Sequence, residues 1–223
     1  MFGDTLSAAF WFTFRHKMAL LRITIIPILI SILLQLVAIE LQSESFSYSV
    51  IFIEAILSSI IAINVHRVVL EGEESVPTWG RFKIGKIELW FLAHYLSLWF
   101  AVYAVFLLAP FIGALVGVLA IIGGILACRL CLVFPAIALG KAVSFPYAWN
   151  LTAQRTFYML CVVAIAPLIF SFFLIPLGLL GVPDAIFTFF SHVITIIAVV
   201  TLSFAYQKLK EGPKPVDKGA DPS

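Results

Sequence analysis

Apolar positions in this chain fall into six long runs, roughly Ala19 to Leu41, Ser47 to Val65, Glu88 to Ala109, Ile112 to Leu132, Phe157 to Leu180 and Ala185 to Tyr206. A helix rising 1.5 Å per residue needs roughly 20 such residues to cross a bilayer core. Each run is near that length. None alternates polar and apolar residues with the period of two that a barrel strand requires, and hydrocarbon offers no water to an unpaired backbone. The pattern therefore predicts an all-α polytopic membrane protein with six transmembrane helices. Polar residues from Glu40 to Ser47, Pro110 with Gly113, and Gly178 to Asp184 mark short turns between runs. The six-span domain is expected over 1–211, with hairpins at about 19–66, 86–132 and 157–208. The tail 212–223, GPKPVDKGADPS, is expected to be disordered.

Composition strengthens this class. Of 223 residues 62% are hydrophobic and 12% charged, and mean hydropathy is +1.11, which excludes an ordinary soluble domain. A net charge of +2 from 14 basic and 12 acidic residues argues against a nucleic-acid partner. The placement of the charges is more informative than their sum. Every Lys and Arg lies in the N-terminal segment, between Arg67 and Lys86, between Arg129 and Arg155, or from Lys208 onward, while the intervening turns carry only Glu40, Glu44 and Asp184. The positive-inside rule then predicts both termini in the cytoplasm. The first run follows Arg15, Lys17 and Arg22 and exceeds a signal h-region in length, so it reads as a retained anchor. Asn150-Leu-Thr152 matches a glycosylation acceptor, but on the expected cytoplasmic side.

A weak repeat accompanies the hairpins. SAAFWFTFRHKMALL from Ser7, SVPTWGRFKIGKIELW from Ser75 and SFPYAWNLTAQRTFYML from Ser144 each place a Trp (Trp11, Trp79, Trp149) ahead of a cation and of a span. Trp flanked by cations suits the headgroup level. The expectation is three hairpins, each preceded by an interfacial segment. The alternative is that any hairpin needs Trp and Arg at its basic edge.

The stretch RLCLVFPAIALGKAVSFPYAWNLTAQR, residues 129–155, carries Arg129, Pro135, Leu139, Ala148, Trp149 and Thr152. It resembles the signature of the membrane domain that accompanies some bacterial glycerophosphodiester phosphodiesterases, and of related free-standing inner-membrane proteins. Gly140 and Lys141 stand where that pattern often has an acidic residue. With no soluble phosphodiesterase domain in the chain, the resemblance implies a membrane family and a bacterial inner-membrane location rather than that catalysis.

Charged groups at membrane depth are the first candidates for function. Arg129, Arg67 and Lys208 close the fourth, second and sixth runs, and with Trp149 and Trp79 they are candidates to contact an anionic phospholipid headgroup. For Arg129 two other roles stay open: marking the basic rim, with the fourth run ending at Leu132 and Pro135 beginning an interfacial segment, or pairing with Glu88. Glu54 and His192 lie about 10 Å below the opposite surface by helical rise, so a hydrogen-bonded, proton-linked pair is possible. A purely structural contact between spans is the alternative. Cys128 and Cys131 form a CxxC that lacks the second pair a four-ligand metal site wants. His94 and His192 differ in depth, against a haem. Neither metal nor cofactor is expected, and the absence of any Walker loop, nucleophile elbow, zincin motif or dinucleotide fingerprint points away from an enzyme. Gly113, Gly117, Ala120, Gly124 and Ala127 form a small-residue stripe that predicts close packing inside the bundle or, alternatively, a homo-oligomer seam. Glu71 to Glu74 is either a contact for another membrane-protein partner or a solvated turn. The leading expectation is a non-enzymatic protein that contacts phospholipid and supports lipid or envelope homeostasis. A small proton-coupled transporter and an accessory subunit that recruits a partner are the alternatives.

Overall fold

A computed structural model describes residues 1–107, 109–113 and 115–211, without the side chains of residues 47, 106, 109 and 112. The tail expected to be disordered lies outside the described residues. Among the described residues the regular structure is entirely helical: α1 (Phe2–Arg15), α2 (Lys17–Leu41), α3 (Glu44–Glu71), α4 (Lys86–Leu107), α5 (Ala109–Ile112), α6 (Leu115–Leu130), α7 (Val133–Ala138), α8 (Phe145–Leu151), α9 (Thr156–Leu160), α10 (Ala166–Ser171), α11 (Leu174–Leu179) and α12 (Asp184–Glu211). Six stretches are long and apolar enough to cross a membrane: 17–41, 44–71, 86–105, 115–138, 156–179 and 184–211. The protein is an all-α multi-pass membrane bundle.

Local chemistry sets the ends of these elements. The first hairpin turns in two residues, where Gln42 takes the left-handed conformation at the end of α2 and Ser43 Oγ accepts the Phe46 amide at the start of α3. The fifth span is broken twice. Pro167 has no amide proton for the preceding turn, and residues 161–165 widen into a π turn. Pro176 does the same one element later, and the helix breaks at Phe172 and Phe173.

The chain reverses so that the cations of the described residues gather at one end of the bundle, here the basic end, opposite an acidic end with Glu40, Glu44 and Asp184. The long helices α3 and α12 pack on each other in the centre. Around them α2 and α1 close one side, α4 and α7 another, and the π turn with α10 and α11 the third. One apolar core, with Leu132, Ile137, Met159 and Tyr206, surrounds α7. The other runs along α2, α3 and α12 through Ile28, Ile61, Val65, Ile196 and Val200. Outward positions such as Leu33, Phe100, Ile121 and Phe172 are exposed and apolar, as a lipid-facing surface requires.

Three expectations change in the folded chain. The fourth span does not end at Leu132 with an interfacial segment from Pro135; after a turn at Cys131 and Leu132, all six residues of α7 are buried. Gly140, at φ +78°, then turns the chain out to Lys141. The segment before α4 is not a helix like α1 and α8 but an irregular loop, because Pro77, Gly80 and Gly85 break it. The small-residue stripe on α6 is not tightly packed inside the bundle either. A side chain added at Gly117, Gly123 or Gly124 would meet nothing within 4 Å.

Candidate functional site

At the basic end several cations are held by particular partners. Arg129, at the last turn of α6, lays its guanidinium 3.5 Å from the centre of the Trp149 ring. Its Nε donates to Thr152 Oγ1 at 3.1 Å and its Nη2 to the Trp149 carbonyl at 3.0 Å. Three residues of the 129–155 motif therefore form one unit that pins α8 against α6. Glu88 is not its partner; that carboxylate forms an ion pair with Arg81, Nε to Oε1 at 3.2 Å, and accepts the Gly85 amide at 3.0 Å.

Arg67 on α3 donates from Nε to the Ala138 carbonyl at 2.8 Å, closing the end of α7. Lys208 reaches back to α1, donating to Met1 O and Asp4 Oδ2, both at 3.2 Å. The N-terminal ammonium and then Lys208 hold the Asp4 carboxyl below its usual range. Trp79 is exposed in the loop before α4. The structure thus brings Arg129 and Trp149 together, while Arg67, Lys208 and Trp79 each serve a different neighbour.

A groove that the sequence pattern did not reveal lies between α4 and the end of α7. It has a volume of about 600 Å³. Its walls are apolar, with Ile87, Leu89, Trp90 and Ile137, and Lys86 and Lys141 line it as well. Both lysines stand where spans end, at the start of α4 and just after α7. Lys141 Nζ donates to Tyr206 Oη at 3.0 Å, and Tyr206 and Tyr147 hydroxyls are 3.2 Å apart. An ammonium has three protons, so this contact leaves Lys141 able to bind an anion. Burial, followed by the Tyr206 hydrogen bond, raises the Tyr147 phenol above its ordinary value. Trp90 Nε1 donates to the Val143 carbonyl at 2.8 Å and fixes the connection after Lys141 against α4. Lys86 and Trp90, four apart on α4, were the available sequence signal. Lys141 was visible only as a departure from the family pattern.

In the other half of the bundle Glu54 and His192 meet through a residue that sequence reasoning missed. The Ser31 hydroxyl donates to Glu54 Oε1 at 2.6 Å, and its oxygen lies 2.8 Å from His192 Nε2. A hydroxyl has one proton; with that proton on Glu54, Nε2–H of His192 is the donor to Ser31. Ser31 is fully buried and His192 nearly so, whereas Glu54 is half-buried. One turn nearer the acidic end Thr188 donates to Gln35 Oε1 at 2.6 Å. Toward the basic end His66, also buried, donates from Nδ1 to Ser203 at 2.7 Å, since the Ser203 proton goes to the Val199 carbonyl. Among the described residues no three His, Cys, Asp or Glu side chains cluster as metal ligands.

No family model matches the chain, and neither a curated protein nor a solved structure matches it.

Proposed function

We propose that this is a non-enzymatic protein of the bacterial inner membrane, with both termini in the cytoplasm, which holds an anionic phospholipid and supports lipid or envelope homeostasis. The groove between α4 and α7 carries the proposal. It offers a phosphate two lysines at the depth where spans end, and offers an acyl chain a wall of Ile87, Leu89, Trp90 and Ile137. That combination suits an amphiphile better than a soluble anion, which would leave the apolar wall uncovered. Arg129 and Trp149 act one step back by fixing α8. Tyr147 on α8 meets Tyr206, which also holds Lys141. The charge asymmetry of the loops and the resemblance of residues 129–155 support the orientation and the membrane.

Native mass spectrometry of the protein extracted with its lipids tests the site. Lys141→Ala and Lys86→Ala should each reduce retained anionic lipid by about three- to ten-fold, the loss of one charge-assisted contact discounted for partial hydration. Lys17→Ala, a cation at the same end but away from the groove, should retain lipid as wild type does. Equal retention in all three variants would refute the site. Orientation has its own test. Reporters fused after Leu41 or Val182 should read outside, and those at Glu73, Lys141 and Ser223 inside; an outside signal at Glu73 would overturn the topology.

A further inference from the structure

Ser31, Glu54 and His192 join three different helices, α2, α3 and α12, at one depth in the apolar part of the bundle. Holding helices together needs only neutral polar groups, as the Thr188–Gln35 bond one turn away illustrates. A carboxyl and an imidazole at the same place are costly in hydrocarbon unless their charge is managed. Here a hydroxyl that can donate and accept at once stands between them.

Access to the three is one-sided. Toward the acidic end, Gln35 and Thr188 continue the polar column, and Glu54 is half-buried rather than sealed. Toward the basic end, Ile28, Ile61, Ile196 and Val200 fill the space between α2, α3 and α12. The buried hydroxyls of Thr24, Ser59 and Thr201 in that layer donate to backbone carbonyls of their own helices, and side chains of different helices next bond at His66 and Ser203. The column is thus interrupted, a pocket for a proton rather than a wire across the membrane.

We propose that Ser31, Glu54 and His192 form a proton-binding site, filled from the acidic end, in which one proton is shared between carboxylate and imidazole through the serine hydroxyl. With Glu54 ionised and His192 neutral, a proton from water binds the cluster. In one arrangement His192 is an imidazolium, its Nε2–H donates to Ser31, and Ser31 donates to the Glu54 carboxylate. In the other, the Ser31 proton passes to Glu54 as the Nε2 proton passes to Ser31. Each transfer breaks and forms one bond to hydrogen, and the cluster stays neutral overall.

Other ionisable groups on the three helices lie near their ends, with Glu40, Glu44, Tyr48 and Asp184 at the acidic end and Lys17, Arg22, His66, Arg67, Glu71, Tyr206, Lys208, Lys210 and Glu211 at the basic end. On the elements packed against them, His94 bonds Trp90, Asp4 pairs with Lys208, His16 bonds Glu73, and Tyr158 bonds Thr5. Arg15 on α1, Lys86, Glu88, Tyr95 and Tyr103 on α4, and Cys161 in the π turn lie on those elements too, and among the described residues none bonds to the three.

The experiment is infrared difference spectroscopy on the full chain in lipid nanodiscs, stepped between about pH 9 and pH 5, the range in which a histidine site exchanges protons. Wild type should gain a protonated-carboxyl band that Glu54→Gln loses entirely. Ser31→Ala removes the hydroxyl bonded to that carboxyl and should shift the frequency of the band. His192→Gln keeps a donor to Ser31 and should shift its midpoint. Asp184→Asn should leave this band in place, and helical circular dichroism confirms that each variant is folded. A carboxyl spectrum unchanged by Glu54→Gln, or a band indifferent to both Ser31→Ala and His192→Gln, would overturn the proposal in favour of a static interhelical contact. Lipid retention is not involved, so the outcome is independent of the groove.

Discussion

Gly80→Ala should lower the thermal stability of the purified protein more than alanine at any other described glycine. Two costs coincide at this position. Gly80 has φ +91°, a backbone state that residues with a side chain rarely adopt, and an added Cβ would stand 2.6 Å from the Ile23 carbonyl oxygen and 3.1 Å from Asn64 Nδ2. Real Cβ atoms do not approach a carbonyl that closely, so the loop must lift from α2. Lifting it strains the clamp by which buried Asn64 accepts the Arg81 amide at 3.1 Å, and with it the Arg81–Glu88 pair. Backbone strain alone costs about 1–3 kcal/mol, and a buried amide left without its partner adds about 1–3 kcal/mol. Gly72 separates the two costs, because it has φ +93° but open space around the added carbon. Gly72→Ala should therefore show only the conformational part in thermal unfolding in detergent. Equal losses at both positions would mean that close docking of the loop on α2 contributes nothing.

The second large effect is expected at Arg129. Truncation to alanine removes a guanidinium stacked on Trp149 and two hydrogen bonds into α8. Stacking is worth about 0.5–2 kcal/mol and each charge-assisted bond about 1.5–3 kcal/mol before solvent screening, so a net loss of about 2–4 kcal/mol is expected. Arg129→Lys should recover only a minor part, because a compact ammonium cannot stack and fork at once. The readout specific to this geometry is limited proteolysis of residues 139–155, which should quicken in both variants while cleavage near Glu73 stays unchanged. Wild-type protection in Arg129→Lys would reduce the residue to a charge marker of the basic end.

The spans were legible because a run of about twenty apolar residues leaves the backbone few alternatives in hydrocarbon. Depth was legible for the same reason, since helical rise alone brought Glu54 and His192 to one level. Ser31 was not, because a single small hydroxyl in the run ILISILLQL disturbs no periodicity, and its role depends on which helix lies opposite. The breaks in the fifth span follow from Pro167 and Pro176, yet a hydropathy profile passes over both. Pro135 misled in the other direction: it read as the start of an interfacial segment, whereas the short helix around it is buried between α3, α4 and α12. The groove was hidden because Lys86 and Lys141 stand at the two far ends of the second hairpin, separated in sequence by both of its spans. Neither position stands out until α4 and α7 are side by side.

The docking of α1 on α12 has a consequence for how the chain is made. Asp4 and Lys208 are 204 residues apart and Thr5 and Tyr158 are 153 apart, so the anchor points of α1 are synthesised long after α1 itself. Phe12 likewise waits for Phe204, whose ring it meets edge-on at 5.6 Å. Until the fifth span and then α12 have entered the bilayer, α1 has only α2 beside it to shelter its apolar face. Helix α1 is thus synthesised before the elements that hold it, and its docking seals the bundle around a completed α12.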